Sequence, residues 1–428
     1  MQQLPVPKTL DVEVVERQLA ELWKETAGES DDDAAVLRAR VANLLVFVTH
    51  ESLFQEVEAL ILDVTTVHPC RALIILGEQD KSDQDIEMFV TSLCQTDKRT
   101  GAKRLCGEVV ILKARGKFIV ELPSASLPLL VSDLTTFLWW RNEFRLSDKV
   151  FRDLLKGSDR LVIDSDEFRN PLQDLLEVDR LFGSDEQVGV SDLNWARLTL
   201  WRGLLADFYD VPAYQLLLDD IDFVRIDYVS PAAEPATVAP QALLMAGWLA
   251  SRLGWSLPSE PTPRENEETL SFKLIRPESA ERGSSPTVSE SAERGSSPTP
   301  GSPAGQPGRG GTVREGADRG EITLQLNRVA RDKHKPGRLI EVELRTSGSQ
   351  LASFSVKRNA DNLHILAEAN VGTDIHRGRL LPVRNRSLAQ LLSREMEILS
   401  NDNLYQQSLA LAATLIDLST SSASDQTN

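Results

Sequence analysis

The stretch HPCRALIIL, residues 68–76, decides how the first half of the chain is interpreted. Residues 55–64 before it carry a helical pattern, and Pro69 ends that helix because the residue before a proline disfavours the helical region of backbone space. Residues 71–76 are an apolar run closed by Gly77, which predicts a short buried strand. The stretch is therefore a transition from helix to strand.

The same stretch places His68 two residues from Cys70, as a metal pair or an activated thiol would require. Two ligands are fewer than the three or four that a zinc site needs, and the sequence contains neither CxxC nor HExxH. We therefore expect His68 and Pro69 to break the helix and Cys70 to pack as a small hydrophobic side chain.

Helical and strand patterns alternate on both sides of this stretch. Residues 1–27 and a segment from about residue 34 to residue 48 predict amphipathic helices. Further strands are predicted at residues 85–95, 104–113, 136–140 and 159–165. This alternation predicts an α/β amino-terminal domain over residues 1–175, with a mixed, partly parallel sheet.

The second half of the chain predicts an α+β carboxyl-terminal domain with a mainly antiparallel sheet. Residues 176–276 lead into it and include a helix at residues 191–209 with Ser191 as its N-cap. Residues 277–320 are rich in Gly, Ser and Pro and contain ESAERGSSPT twice, so we expect a disordered insert between strands. Residues 321–428 predict four alternating strands and two closing helices.

Composition and charge limit the classes of function. The chain has 428 residues and a formal net charge of −17, which disfavours nucleic acid and anionic membranes as partners. No apolar run reaches the length of a membrane helix, and the amino terminus lacks the features of a signal peptide. Three cysteines are too few for a disulfide scaffold, which predicts a cytoplasmic protein.

Enzyme and cofactor motifs do not occur in the sequence. No GxGxxG follows a predicted strand, and neither GxxxxGK[ST] nor GxSxG is present. Five histidines and many scattered carboxylates form no catalytic pattern. We therefore predict no catalytic residue, no metal site and no cofactor.

Cys94 and Cys106 form a candidate redox pair. If the turn between the two strands is centred near residue 100, the two cysteines lie opposite each other, and opposed residues in a strand pair have close Cβ atoms. The hypothesis is a reversible disulfide that senses redox state. The alternative is two buried free thiols.

Arg141 is a candidate for an anion pocket. It follows the strand at residues 136–140, and Asp164 closes the strand at residues 159–165. If both strands are parallel, these groups lie at the carboxyl edge of the sheet, where α/β proteins usually bind ligands. Arg141 would then line the pocket with Arg197 or Arg202. The alternative is a structural salt bridge.

Tryptophan and arginine are enriched at interface hot spots, and both occur near these strands. Trp139 and Trp140 are adjacent on a strand and face opposite sides, so at least one is expected in the core and the other could be an exposed anchor. Two basic clusters, RVARDKHKPGR (328–338) and HRGRLLPVRNR (376–386), are either solvated loops or a docking face for an acidic partner. The candidate partner-binding residues are Trp139, Trp140, Arg141, Arg197, Trp201 and Arg202.

Several segments together resemble a known family. HPCRALII, SLCQTD with RLCGEVVIL, LPLLVSDLTTFLWWR, DRLVIDS and DLNWARLTLWR are similar to the OpcA family of glucose-6-phosphate dehydrogenase assembly proteins of cyanobacteria and actinobacteria. The resemblance covers about residues 1–275 and resumes from about residue 321.

The resemblance implies a non-catalytic effector. It would bind glucose-6-phosphate dehydrogenase, promote its active oligomer and raise its apparent affinity for glucose 6-phosphate, and so support NADPH supply in the oxidative pentose phosphate pathway. It also implies redox regulation, with thioredoxin as a second candidate partner, and favours a cyanobacterial source. The alternative function is a sugar-phosphate or nucleotide sensor with an anion pocket near Arg141.

Overall fold

The computed structural model describes residues 4–5, 12–28, 40–96, 103–184, 188–231, 237–258, 264–265, 268–277, 320–329, 334–348, 350–373, 375–383 and 386–425. The insert predicted at residues 277–320 lies outside these ranges except for its first and last residue. Among the described helices, none combines the length and the apolar character needed to cross a membrane.

The amino-terminal half forms one eight-stranded sheet with its helices. Its elements are β1 (Leu4–Pro5), α1 (Val12–Gly28), β2 (Ala42–Val48), α2 (Glu51–Val67), β3 (Cys70–Glu78), β4 (Gln84–Thr96), β5 (Lys103–Arg115), α3 (Leu122–Ser126), β6 (Thr136–Arg141), α4 (Lys149–Leu155), β7 (Arg160–Ile163), α5 (Pro171–Phe182) and β8 (Gly189–Asp192).

The strand order of this sheet is β1-β4-β5-β3-β2-β6-β7-β8. Six neighbouring strands of this sheet are parallel to one another, in the order β5, β3, β2, β6, β7 and β8. Strand β4 pairs antiparallel with β5. Counted along the chain, the six parallel strands have the order 3-2-1-4-5-6 of the doubly wound nucleotide-binding folds. The predicted mixed, partly parallel sheet is confirmed.

Helices cover both faces of this sheet. Leu45 and Phe47 of β2 belong to one apolar cluster, whereas Leu44 and Val46 belong to a second cluster on the opposite face. Every residue of β2 and β3 is buried as a consequence. This confirms the strand predicted at residues 71–76 and the core position of Cys70, whose thiol pKa is raised to about 12 by burial.

Two local predictions in this half are wrong. The sequence predicts that residues 42–48 continue a helix, but they form the central strand β2, because an unbroken apolar run can be buried on both faces of a sheet. The helix predicted to begin at Ser191 begins one residue later. Ser191 pairs with Val162 in the strand ladder, and the Asp192 carboxylate accepts from the Asn194 amide as the N-cap.

The carboxyl-terminal half forms a second eight-stranded sheet. Its elements are α6 (Leu193–Arg197), α7 (Thr199–Asp207), α8 (Pro212–Gln215), β9 (Ile221–Tyr228), α9 (Pro240–Leu253), β10 (Arg264–Glu265), β11 (Thr269–Ile275), β12 (Glu321–Arg328), β13 (Leu339–Thr346), β14 (Ala352–Arg358), β15 (His364–Val371), β16 (Ile375–Pro382), α10 (Leu388–Glu395) and α11 (Asn403–Asp425).

The order of the second sheet is β10-β11-β12-β9-β13-β14-β15-β16. All of its described pairs are antiparallel except β9 with β12, which confirms the mainly antiparallel prediction. Strand β16, which overlaps the second basic cluster, was not predicted from the sequence. The helix expected over residues 191–209 is interrupted at Leu198, so α6 and α7 are separate.

One apolar core connects the two halves. It includes Trp140 and Leu161 of the first sheet together with Val224 and Phe354 of the second. Helix α9 packs against α11 at a close approach, where a Cβ on Gly247 would lie 2.0 Å from the carbonyl oxygen of Ser408. The first sheet extends to residue 192, past the boundary predicted at residue 175.

Candidate functional site

Two clefts lie near the carboxyl edge of the first sheet. The switch-point cleft, of about 290 Å³, is lined by Thr49, Leu53, Glu56, Trp140, Arg141, Asn142, Glu143, Asp164, Glu167, Phe168 and Arg169. The cationic cleft, of about 410 Å³, is lined by Ala196, Arg197, Leu200, Trp201, Gln241, His334, Lys335, Arg338, Arg358, Asn362, Ile365, Val383, Arg386 and Leu391.

The switch-point cleft occupies the place where this strand order usually binds a ligand. Strands β2 and β6 are neighbours, and the chain leaves them in opposite directions along the sheet, which opens a crevice at their carboxyl ends. Because β6 and β7 are parallel, Arg141 and Asp164 lie at this same edge, as predicted.

Arg141 is held by carboxylates. Its Nε and Nη2 donate to the two oxygens of Glu167 at 3.0 and 2.6 Å, and its Nη1 donates to Glu56 Oε1 at 3.2 Å. Burial raises the pKa of Glu167, and the adjacent guanidinium only partly offsets this. Arg141 is thus an ion-pair partner, which was the alternative to an anion-binding role.

The lining of the switch-point cleft disfavours an anion. Four carboxylates line it against two arginines, Arg141 and Arg169, and one of those arginines is already paired. The anion pocket predicted near Arg141 therefore has the wrong charge. Arg197 lines the other cleft, and Arg202 lines neither, so the three arginines do not meet in either of these two clefts.

The residues at the switch point do not fit a dinucleotide. The turn from β2 into α2 contains Thr49 and His50, and α2 has Glu51 in its first turn. Dinucleotide sites need glycines there so that the backbone can approach the pyrophosphate at the helix amino terminus. A carboxylate in that turn, with Glu56 further along α2, would repel the phosphates.

The candidate tryptophans are core residues. Trp139 and Trp140 are 0% and 3% exposed, and Trp201 is 3% exposed. The expectation that one of the two adjacent tryptophans could be an exposed anchor is wrong, because helices cover both faces of the sheet. Trp140 stacks on Phe47 with 4.4 Å between ring centroids.

Two candidate arginines retain some surface. The Arg202 guanidinium carbon lies 3.4 Å from the centroid of the Trp195 ring, and Nη1 donates to the Trp195 carbonyl at 3.0 Å. Burial lowers the pKa of Arg202 to about 10. Arg197 ends α6 and makes two parallel bonds to Asp164, at 2.6 and 2.7 Å. Burial opposes its charge, but these bonds raise the pKa of Arg197 above its ordinary value.

Four segments far apart in the chain converge on the cationic cleft. The turn after His334 presents Lys335 and Arg338, and its Pro336-Gly337 pair suits a type II turn, since Gly337 has a φ of 78°. Arg358 ends β14, and Arg386 precedes α10. Helices α6 and α7 form the fourth segment.

The cations of this cleft outnumber the carboxylates that bond to them. Asp166 accepts from Lys335 Nζ and from Arg338 Nη2, each at 3.0 Å, and Asp164 holds Arg197. Among the residues that the structure describes, Arg358 donates to the carbonyl of Leu339 alone, at 3.4 Å. Within the described part of the chain, neither Arg358 nor Arg386 forms a salt bridge. Among the described residues, five cations therefore share two bonded carboxylates, an excess of three positive charges.

A buried polar chain beside this cleft links the two sheets. Gln241, at the start of α9, donates to the Asn194 side chain at 2.7 Å and accepts from the Leu339 amide at 3.1 Å. Asn194 in turn donates to the Ser165 hydroxyl at 3.1 Å. Loss of any of these partners would leave a buried polar group unpaired.

The cationic cleft was not predicted from the sequence, although both basic clusters that contribute to it were identified there. The two basic clusters contribute Lys335, Arg338 and Arg386, and their convergence with Arg358 depends on sheet pairing that no local pattern reports. Cys94 and Cys106 are Cα partners in the β4–β5 ladder, which confirms the predicted register. Their side chains lie outside the described part of the structure.

No group of three or more His, Cys, Asp and Glu side chains among the described residues is arranged to hold a metal ion.

Fold and clefts together define a two-sheet protein that has the strand order of dinucleotide-binding enzymes without their phosphate-binding turn. The chain belongs to the OpcA family. Profiles for the amino-terminal and carboxyl-terminal domains of a glucose-6-phosphate dehydrogenase subunit match residues 62–180 and 188–409.

Curated relatives carry the same family name. A putative OxPP cycle protein OpcA of Synechocystis is 26% identical over 357 residues, covering 83% of this chain and 65% of the relative. The protein of that name from Nostoc punctiforme is 33% identical over 193 residues, covering 45% of this chain and 40% of the relative. The chain thus spans less than two thirds of the length of either relative.

Solved structures show only a distant likeness. A levoglucosan dehydrogenase in complex with NADH and L-sorbose has a TM-score of 0.45 at 9% identity, covering 90% of this chain and 98% of that one. An oxidoreductase from Sinorhizobium meliloti has a TM-score of 0.46 at 8% identity, with coverages of 91% and 98%. Likeness at this level carries no conclusion about activity.

Proposed function

We propose that this chain is a non-catalytic, cytoplasmic effector of glucose-6-phosphate dehydrogenase. It binds the enzyme, favours its active oligomer and raises its apparent affinity for glucose 6-phosphate, thereby supporting NADPH supply through the oxidative pentose phosphate pathway. The observation that carries the proposal is the match of both family profiles, since each describes a domain of a glucose-6-phosphate dehydrogenase subunit.

The charge of the switch-point cleft supports a role other than hydride transfer. A dehydrogenase of this strand order would hold its dinucleotide where Glu51 and Glu56 stand, and Arg141 is already bonded to Glu167 and Glu56. An effector needs no reaction of its own. It acts when it binds one oligomeric state of its partner more tightly than the other, and the difference in affinity sets the shift in population.

The test is the activity of the dehydrogenase from the same organism against glucose 6-phosphate concentration, with and without the chain. We expect a lower apparent KM together with a change in the size of the enzyme oligomer, measured by light scattering. Heat-denatured chain at the same concentration is the control. No change in either quantity, under reducing and under oxidising conditions, would overturn the proposal.

The six candidate partner residues are a separate part of this proposal. Because the three tryptophans and Arg141 are buried, the half-buried Arg197 and Arg202 are the members that a partner could contact directly. A true anchor weakens a complex by about 2 kcal/mol or more when it is removed. The same assay with Arg202→Gln, compared with Arg152→Gln on the exposed side of α4, measures that loss.

A further inference from the structure

We propose that the cationic cleft is a binding site for a small phosphorylated metabolite, a phosphate monoester such as a sugar phosphate or a nucleoside monophosphate. This site is distinct from the switch-point cleft, and its occupancy does not depend on association with the dehydrogenase. Four features support it: excess charge, fixed guanidinium groups, an apolar wall and a suitable size.

The excess charge is unusual for this protein. The chain has a formal net charge of −17, yet the five cations around this cleft share two bonded carboxylates among the described residues, and Arg358 and Arg386 are bonded to neither of them. Burial lowers the pKa of Arg358, and the nearby charge of Arg338 lowers it further. Cations that repel each other in a partly desolvated cleft gain most from a ligand with more than one negative charge, as a phosphate monoester has.

Three of the four guanidinium groups, those of Arg197, Arg338 and Arg358, have bonded partners before any ligand arrives. Arg338 is fixed by Asp166, and Arg358 is fixed by its bond to the Leu339 carbonyl and lies 5.8 Å from the Trp201 ring. A planar guanidinium offers paired donors that match phosphate oxygens, so several such groups in one cleft favour phosphate over an isolated carboxylate. Groups already ordered lose little entropy when they bind.

The cleft also accommodates the uncharged part of such a molecule. Its apolar wall consists of Leu200, Trp201, Ile365, Val383 and Leu391. Its volume of about 410 Å³ falls within the range of small-molecule pockets, about 300–1,000 Å³. Asn362 and Gln241 add neutral polar groups to its lining. The combination suits a metabolite with one phosphorylated end.

The experiment measures ligand binding to the full chain alone. The probes are inorganic phosphate, glucose 6-phosphate and adenosine monophosphate, with glucose and adenosine as uncharged counterparts, in thermal shift and titration calorimetry. We expect at least one phosphorylated probe to raise the melting temperature, its uncharged counterpart to have no effect, and the affinity to fall as ionic strength rises.

Three variants locate the site. Arg386→Gln removes an exposed cation with no bonded partner among the described residues, so it leaves folding intact, and Arg358→Gln removes the half-buried cation near Trp201. Because a hydrogen bond to a charged group is worth about 1.5–3 kcal/mol, each variant should weaken binding by about tenfold or more. Arg152→Gln makes the same charge change outside both clefts and should bind as the unmodified chain does.

Three results would overturn the inference. The first is no stabilisation by any phosphorylated probe at millimolar concentration. The second is equal affinity in Arg386→Gln, Arg358→Gln and Arg152→Gln. The third is loss of dehydrogenase binding in the cleft variants while no probe binds, which would assign the cleft to an acidic segment of the partner. Since the probes are titrated into the isolated chain, failure of the dehydrogenase assay would leave this result unaffected.

Discussion

Replacing Gly247 by alanine should destabilise the fold strongly. The new Cβ would lie 2.0 Å from the Ser408 carbonyl oxygen and 3.1 Å from the Ala412 amide nitrogen. Both are backbone atoms of α11 and cannot rotate away, so reaching an ordinary contact of about 3.5 Å requires the helices to separate by roughly 1.5 Å. Overpacking of this kind costs about 3 kcal/mol, and the better helix propensity of alanine returns about 1 kcal/mol.

The expected net loss of unfolding free energy for Gly247→Ala is therefore about 2 kcal/mol, measured by urea denaturation. Gly203→Ala is the matched control. Gly203 lies in α7, and no atom lies within 4 Å of the position that an alanine methyl group would take there, so the same substitution should stabilise the chain by about 0.5–1 kcal/mol. The critical result is that the change in unfolding free energy has opposite signs in Gly247→Ala and Gly203→Ala. A Gly247→Ala variant as stable as the unmodified chain would refute the close packing of α9 on α11.

Two further predictions concern ionisation and redox state. Burial, and then the charge of Asp164, raise the pKa of Asp192 to about 6. The pKa of an aspartate in the unfolded chain is about 3.9, so the contribution of Asp192 to the free energy of unfolding is fully present below about pH 4 and is lost as the pH rises through 6. Asparagine does not titrate, so Asp192→Asn should become more stable relative to the unmodified chain, by about 2 kcal/mol between pH 4.5 and 7.5. A constant difference would contradict the assigned burial. If Cys94 and Cys106 form a disulfide, the oxidised chain in denaturant should show one free thiol of three, and thioredoxin should restore the others. Three thiols under oxidising conditions would exclude the pair.

Much of the fold could be predicted because local patterns specify it. The hairpin register that pairs Cys94 with Cys106 follows from the position of the turn, and the strand at residues 71–76 follows from its bounded apolar run. Residues 42–48 could not be assigned in this way. Their apolar run suits a buried helix as well as a strand, and its place between β3 and β6 settles the matter through long-range pairing.

The candidate site was harder to predict because it depends on which surfaces are covered. Alternation on a strand correctly places Trp139 and Trp140 on opposite faces, but it does not report that helices cover both of them. Similarly, an arginine at a sheet edge can bind a ligand or a neighbouring carboxylate. Arg141 binds the carboxylates of Glu56 and Glu167, which are 85 and 26 residues away in the sequence, so no local pattern could reveal this pairing.

The two clefts are electrostatically connected through Asp164. This carboxylate lines the switch-point cleft, and it also neutralises Arg197 of the cationic cleft. The switch-point cleft, where the strand order would place a dinucleotide, therefore carries excess negative charge. The cationic cleft, where α6 lies near the start of β13 and the end of β14, carries excess positive charge. Arg197 belongs to the helix that follows the first sheet, whereas Arg338 and Arg358 flank strands of the second. A phosphate held by these arginines would brace the two sheets against each other. A ligand that favours one arrangement of the sheets necessarily changes the affinity of any partner that distinguishes those arrangements, and the partner changes the affinity of the ligand by the same factor.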